Sequence, residues 1–252
     1  MESPDSQSRI QSASMSRQKE IPPDWRPDVL RLFSIVIIVL GHMLFYTGYL
    51  LNDPRNPVVW LGGVAIGLFF ACSGYVHSLK DEFNKPGSLN LSTYGKFLKK
   101  RFLRLYIGYY LALFVVLIAK LLSGITIEFS TTAPLQFGFQ HHIIITPTSL
   151  ILDLTCMWPL FTTKLGGIWP EGWFICSMLI LSLCYPLLRR LHSIKKIYLY
   201  LVMIIALIVR FTLLTLGIYT GILILATYAF YFPFAWTAEY SLGIIAGNRV
   251  GM

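Results

Sequence analysis

From Val58 to Leu79 the chain runs without one Asp, Glu, Lys or Arg, and stretches of similar length and apolarity recur along it. About 20 apolar residues in a helix match the roughly 30 Å hydrocarbon core of a bilayer, where a helix satisfies its own backbone hydrogen bonds. Composition points the same way. Of 252 residues, 55% are hydrophobic and 13% charged, with a mean hydropathy of +0.63. A soluble domain carries about 25% charged residues to clothe its surface. The expected fold class is therefore all-α, a polytopic transmembrane helix bundle of about 6–7 spans.

The spans are expected at Val29 to Leu51, Val58 to Leu79, Phe102 to Ser123, Trp173 to Leu191 and Ile197 to Leu216. The apolar stretch Tyr219 to Ala246 is interrupted at Pro233, so it reads as one kinked span or two short ones. A long connection, Gly124 to Pro170, contains the apolar piece Thr148 to Leu160 with Asp153 and Pro159 inside it. That piece is too short for an ordinary span and reads as re-entrant or interfacial.

Charge sets an orientation. The formal net charge is +9. Its Lys and Arg residues cluster in the N-terminal tail, in the loop after the second span and in the loop after the fourth, around Arg189, Arg190, Lys195 and Lys196. By the positive-inside rule these segments are cytoplasmic, as is the N-terminus of this multi-pass cell-membrane protein. Residues 1–27 are expected to form a disordered, Ser-rich cytoplasmic tail, and residues 28–252 a transmembrane domain. The tail lacks the short apolar run and small-residue site of a signal peptide. The basic balance is thus topogenic, and no basic face interleaved with aromatics suggests nucleic acid as a partner. Cys72, Cys156, Cys176 and Cys184 all lie in apolar stretches without a Cys-x-x-Cys pair, as buried small hydrophobes do. His141 and His142 stand side by side but show no third metal ligand, so no metal is expected.

The first span carries ionisable residues that insertion alone does not require. Arg31 and His42 are eleven apart, which is three turns plus about 20° and about 16 Å along the axis. They share one helix face, and Asp28 is three residues from Arg31 and able to pair with it. Arg31 alone could be a snorkelling anchor and His42 a polar contact between helices, but intramembrane ionisable residues usually face a cavity or a partner. Neutral imidazole can take a proton near neutral pH, which suits a general base. The second span ends in Phe69-Phe70-Ala71-Cys72-Ser73-Gly74-Tyr75, where Ser73 and Gly74 permit close helix approach. At the start of the third span Arg101 and Arg104 share a face, and two guanidinium forks there can bind phosphate bidentately. Trp173 suits an interface belt. Glu239, in Glu239-Tyr240-Ser241-Leu242-Gly243, is either an internal polar contact or lies outside the lipid.

In this order, Arg31 with His42, Phe69 to Tyr75, Arg101 with Arg104, and Trp173 to Pro186 resemble the motifs of the acyltransferase-3 family of membrane acyltransferases, over roughly residues 25 to 247. The resemblance implies an O-acyltransferase that moves an acyl group, often acetyl, from acyl-coenzyme A to a hydroxyl of a sugar or cell-envelope glycan. It implies no bound cofactor, and as partners the bilayer, the acyl-coenzyme A donor and the glycan acceptor. Arg101 and Arg104 would face the donor's phosphates, His42 would act on the acceptor hydroxyl, and Arg31 would hold the donor or orient the site. Asp28, Ser73, Gly74, Trp173 and Glu239 would support it. The chain departs from the family pattern at Met178, where many members carry Glu, and it is shorter than members usually are. The alternative expectation is an inactive or truncated relative that acts as a membrane binding or carrier protein.

Overall fold

The computed structural model describes residues 25–46, 57–79, 90–122, 126–129, 142–161 and 172–250. The tail, most of the loop after the second span and much of the long connection fall outside the described residues.

The helices are α1 (Arg26–Tyr46), α2 (Pro57–Leu79), α3 (Leu91–Leu122), α4 (Pro147–Thr155), α5 (Trp158–Phe161), α6 (Trp173–Ile194), α7 (Lys196–Thr220), α8 (Leu223–Tyr231) and α9 (Thr237–Val250), with a 3-10 turn at Pro233–Trp236 before α9. Among the described residues, four stretches are long and apolar enough to cross a membrane: Leu61–Leu79, Leu91–Ala119, Trp173–Ile194 and Lys196–Thr220. These are four of the six or seven expected. The apolar stretch around Pro233 becomes two short helices of 9 and 14 residues joined by the 3-10 turn. Proline lacks the N–H that would carry α8 onward, and it occupies the first turn position instead.

The side chains facing away from the bundle are apolar. Leu32 and Phe33 on α1, Ile107 and Leu111 on α3, and Ile205, Ile208 and Phe211 on α7 are all well exposed. A continuous apolar exterior of this extent is a liability in water and the normal state in lipid.

The purely helical expectation needs one correction. The connection after α3 contains two four-residue strands, β1 (Thr126–Phe129) and β2 (His142–Ile145), paired in parallel with Thr126 opposite His142. Their Thr-Ile-Glu-Phe and His-Ile-Ile-Ile sequences are rich in β-branched residues, which favour a pleated surface.

The piece after β2 is too short for an ordinary span, as its sequence leads one to expect. Helix α4 has 9 residues and α5 has 4, about 14 Å and 6 Å of rise. Thr146 and Ser149 cap the start of α4 reciprocally, and Cys156 closes its end in the left-handed region at φ 57°. Three tyrosines on α3 take up the carbonyls of its last turn: Tyr106 donates to Thr155, Tyr109 to Asp153, and Tyr110 to Leu154 at 2.9 Å. Away from water those end carbonyls would be costly without partners.

The closest helix pair is α2 with α9. A Cβ at Gly74 would overlap the Tyr240 carbonyl, and one at Gly243 would overlap the Ala71 carbonyl. Gly247 meets Ser78 just as tightly. Residues 71 to 78 thus advance beside 243 to 247, so the two helices run parallel in backbone contact. Gly243 and Gly247, four apart, form the small-residue seam that permits this.

Candidate functional site

The inward face of α1 is the stripe Pro27, Arg31, Ser34, Ile38, Gly41 and His42, buried or half-buried between exposed apolar residues. Arg31 and His42 share it as their spacing predicts. The Arg31 guanidinium reaches Asp28 at 3.5 Å and the Cys72 carbonyl of α2 at 3.4 Å. Asp28 is 77% exposed, so that pairing is a weak anchor. The Nε of Arg31 is buried and has no hydrogen-bond partner among the described residues.

His42 lies three turns further along the helix. Its Nδ1 meets the Ile38 carbonyl at 2.7 Å. A carbonyl only accepts, so Nδ1 carries the proton and the lone pair of the neutral ring sits on Nε2. That tautomer is the one a general base needs at its outer nitrogen.

Arg101 and Arg104 are not at the start of their helix. Asn90 caps α3, accepting from the Thr93 N–H at 2.7 Å, and the arginines follow about three turns in. The run of Lys96, Lys99 and Lys100 hid those turns from a hydropathy reading. The pair also divides: Arg101 is half-buried while Arg104 is exposed. Arg101 lies 5.4 Å over the Phe97 ring. It is within electrostatic reach of Arg104 and Arg31, which repel it, and of the Tyr240 and Tyr185 hydroxyls. Three guanidinium groups from α1 and α3 therefore gather at one end of the bundle, here called the basic end. Such a cluster attracts anions, and planar guanidinium forks match phosphate oxygens.

The remaining expected residues divide. Ser73 is buried and donates to the Phe69 carbonyl of its own helix at 2.9 Å. Gly74 provides the close approach to α9. Trp173 is no interface-belt residue: it is 5% exposed and stacks on Trp236 at 6.1 Å, with Tyr231 edge-on at 5.3 Å. Packing against the 3-10 turn draws it inward. Glu239 is an internal contact, bonded to Arg210 of α7 at 2.5 Å. The Arg210 guanidinium also lies 4.1 Å over the Trp236 ring, and Glu239 Oε2 is buried without a hydrogen-bond partner among the described residues.

Sequence reasoning missed Arg210, although a lone cation inside α7 is itself a signal that a partner exists. It also missed His77, Tyr185 and Tyr240, whose buried contacts join three helices and leave no local pattern. The cysteines are free thiols; burial pushes the Cys156 thiol up, and it donates to the Gly172 carbonyl at 2.7 Å. Among the described residues no group of three His, Cys, Asp or Glu is placed to hold a metal ion. His141 lies outside them.

The sequence pattern of an acyltransferase domain family, acyltransferase 3, matches residues 24–250. No curated protein and no solved structure matches the chain. The match covers nearly the whole chain, and the chain belongs to this family of acyltransferases.

Proposed function

With family membership as the premise, we propose that the protein is a membrane O-acyltransferase that moves an acyl group, often acetyl, from acyl-coenzyme A to a hydroxyl of a sugar or cell-envelope glycan. The supporting observation is the gathering of Arg31, Arg101 and Arg104 at the basic end, with His42 on the same helix face as Arg31 about 16 Å away. In this reading the basic end is cytoplasmic and the three guanidinium groups hold the phosphates of the donor. Arg101 is the principal contact because it turns inward, Arg104 adds charge from the rim, and Arg31 closes the site from α1.

His42 Nε2 removes the proton of the acceptor hydroxyl as that oxygen attacks the thioester carbonyl. The C–O bond forms, the C–S bond breaks, and the coenzyme leaves as its thiol after taking the proton from the imidazolium. The Ile38 carbonyl on Nδ1–H holds the ring's orientation. Asp28, Ser73, Gly74, Trp173 and Glu239 hold the helices that carry these groups.

Acyl transfer measured in membranes tests the assignment. Replacing His42 with Ala should remove about 10²–10⁴-fold in kcat, the usual contribution of a positioned base. Replacing Arg101 and Arg104 together with Gln should raise the donor KM and leave the acceptor KM unchanged. Activity near wild type in the first variant would end the catalytic role of His42, and an unchanged donor KM in the second would end the phosphate role.

A further inference from the structure

Among the described residues the half-buried Arg101 guanidinium makes no hydrogen bond and meets no carboxylate within ion-pair distance. Its close contact is the Phe97 ring, whose centroid lies 5.4 Å from the guanidinium carbon. Phe97 stands four residues earlier on α3, one turn along the same face. Arg104 is exposed, and among the described residues no ring lies over it. The Phe97 ring is itself fixed from behind, and it is 8% exposed. His77 of α2 meets it edge-on at 6.1 Å, and Tyr185 of α6 packs on it at 5.9 Å. Both are buried, and the Tyr185 hydroxyl donates to the His77 carbonyl at 2.9 Å. Three helices thus wedge one phenyl ring against one guanidinium.

The choice of a ring at this place has a chemical consequence. The negative face of an aromatic ring attracts a cation. It does so without taking any of the five N–H donors of a guanidinium. A carboxylate in the same place would neutralise the charge and occupy two of those donors. Phe97 therefore restrains Arg101 and leaves its charge and its donors for the oxygens of an anion.

We propose that Phe97, wedged between His77 and Tyr185, is a positioning residue that holds the Arg101 guanidinium by a cation–π contact for the phosphates of the donor. This rests on the reading of Arg101 as a donor contact. It adds that α2 and α6, through the ring they fix, help to set donor affinity. A free arginine side chain is long and rotatable, and ordering it costs entropy when a ligand binds. A guanidinium already seated on a fixed ring has met part of that cost before the donor arrives.

The test is steady-state kinetics with acyl-coenzyme A on full-length protein in membranes, normalised to the folded amount measured by size-exclusion fluorescence. Replacing Phe97 with mono-, di- and trifluorophenylalanine keeps the shape of the ring and progressively weakens its attraction for a cation. The donor KM should rise stepwise along the series, by about three- to tenfold at the trifluoro ring, with kcat and acceptor KM within about twofold of wild type. Phe97→Leu, which removes the ring, should raise the donor KM at least as far. In an Arg101→Gln background fluorination should change the donor KM no further, whereas in an Arg104→Gln background the stepwise rise should persist. The inference is overturned if Arg101→Gln raises the donor KM and fluorination does not. It is equally overturned if the rise with fluorination is undiminished in the Arg101→Gln background, because the ring would then act through packing alone. If Arg101→Gln itself leaves the donor KM unchanged, the donor reading fails and this inference with it. If Phe97→Leu does not fold, the fluorinated series decides.

Discussion

Neutralising Glu239 should destabilise the protein because it strands Arg210 inside the bundle. The pair is 2.5 Å apart, with side chains 20% and 24% exposed. Arg210 stands fourteen residues beyond Lys196, about 21 Å along α7, so its charge lies well inside the helix. Exposed ion pairs contribute about 0–1 kcal/mol, and stripping one partner from a fully buried pair costs about 3–5 kcal/mol. Side chains some four-fifths buried lie between these limits and nearer the second. The Trp236 ring, 4.1 Å from the guanidinium, still stabilises the stranded charge by about 0.5–2 kcal/mol. Glu239→Gln should therefore cost about 2–3 kcal/mol, and Arg210→Met a similar amount. The double variant should cost less than the sum of the two by about 2 kcal/mol, which is about 30-fold in the unfolding constant. Thermal or denaturant unfolding of detergent-solubilised protein, followed by tryptophan fluorescence, measures all three. Additive single effects within about 0.5 kcal/mol would refute the coupling, since independent sites add to that tolerance.

Gly243→Ala should cost about 1–3 kcal/mol through overpacking against the Ala71 carbonyl, while Gly41→Ala, whose new methyl meets open space, should cost nothing; the same unfolding assay separates them. Tyr109→Phe should destabilise by about 1 kcal/mol because it removes one of two donors from the buried Asp153 carbonyl, which keeps the Cys156 N–H, and Tyr110→Phe, at an exposed position, by less than about 0.5 kcal/mol. Equal effects from the two tyrosines would show that the end of α4 is not held by these hydroxyls.

What the sequence disclosed and what it hid divide along physical lines. The helix α2 and the pairing of Asp28 with Arg31 were legible because both follow from periods within one element. The start of α3 was not, because lysines near a helix end lower hydropathy without breaking a helix, and only the Asn90 cap marks the boundary. The strands β1 and β2 are four residues each, too short for a period to register. Trp173 was misplaced because an aromatic beside Glu171 at a helix start looks like a belt residue until a second tryptophan is known to lie against it. The cluster of His77, Tyr185 and Tyr240 joins residues up to 163 positions apart. Their chemistry is ordinary one by one, and only the contact at Gly74 brings it together.

The two depths on α1 constrain the donor. Arg31 and His42 are joined by an unbroken helix, so about 16 Å separates the guanidinium-bearing residue from the imidazole-bearing one along the axis. A donor whose phosphates rest on Arg31 and Arg101 can present its carbonyl to His42 only if a long arm lies between the two groups. Acyl-coenzyme A has that arm, in the pantetheine that links its phosphates to its thioester. An acyl phosphate does not, because its carbonyl carbon is bonded to a phosphate oxygen. On the proposed reading, acetyl phosphate should give no transfer above the His42→Ala background. Acyl-pantetheine without phosphates should keep a kcat near that of the full donor with a much higher KM, and Arg101→Gln should leave that KM unchanged. Turnover of acetyl phosphate that depends on His42 would show that phosphate and carbonyl bind at one depth, and the separation of donor anchor from base along α1 would then be wrong.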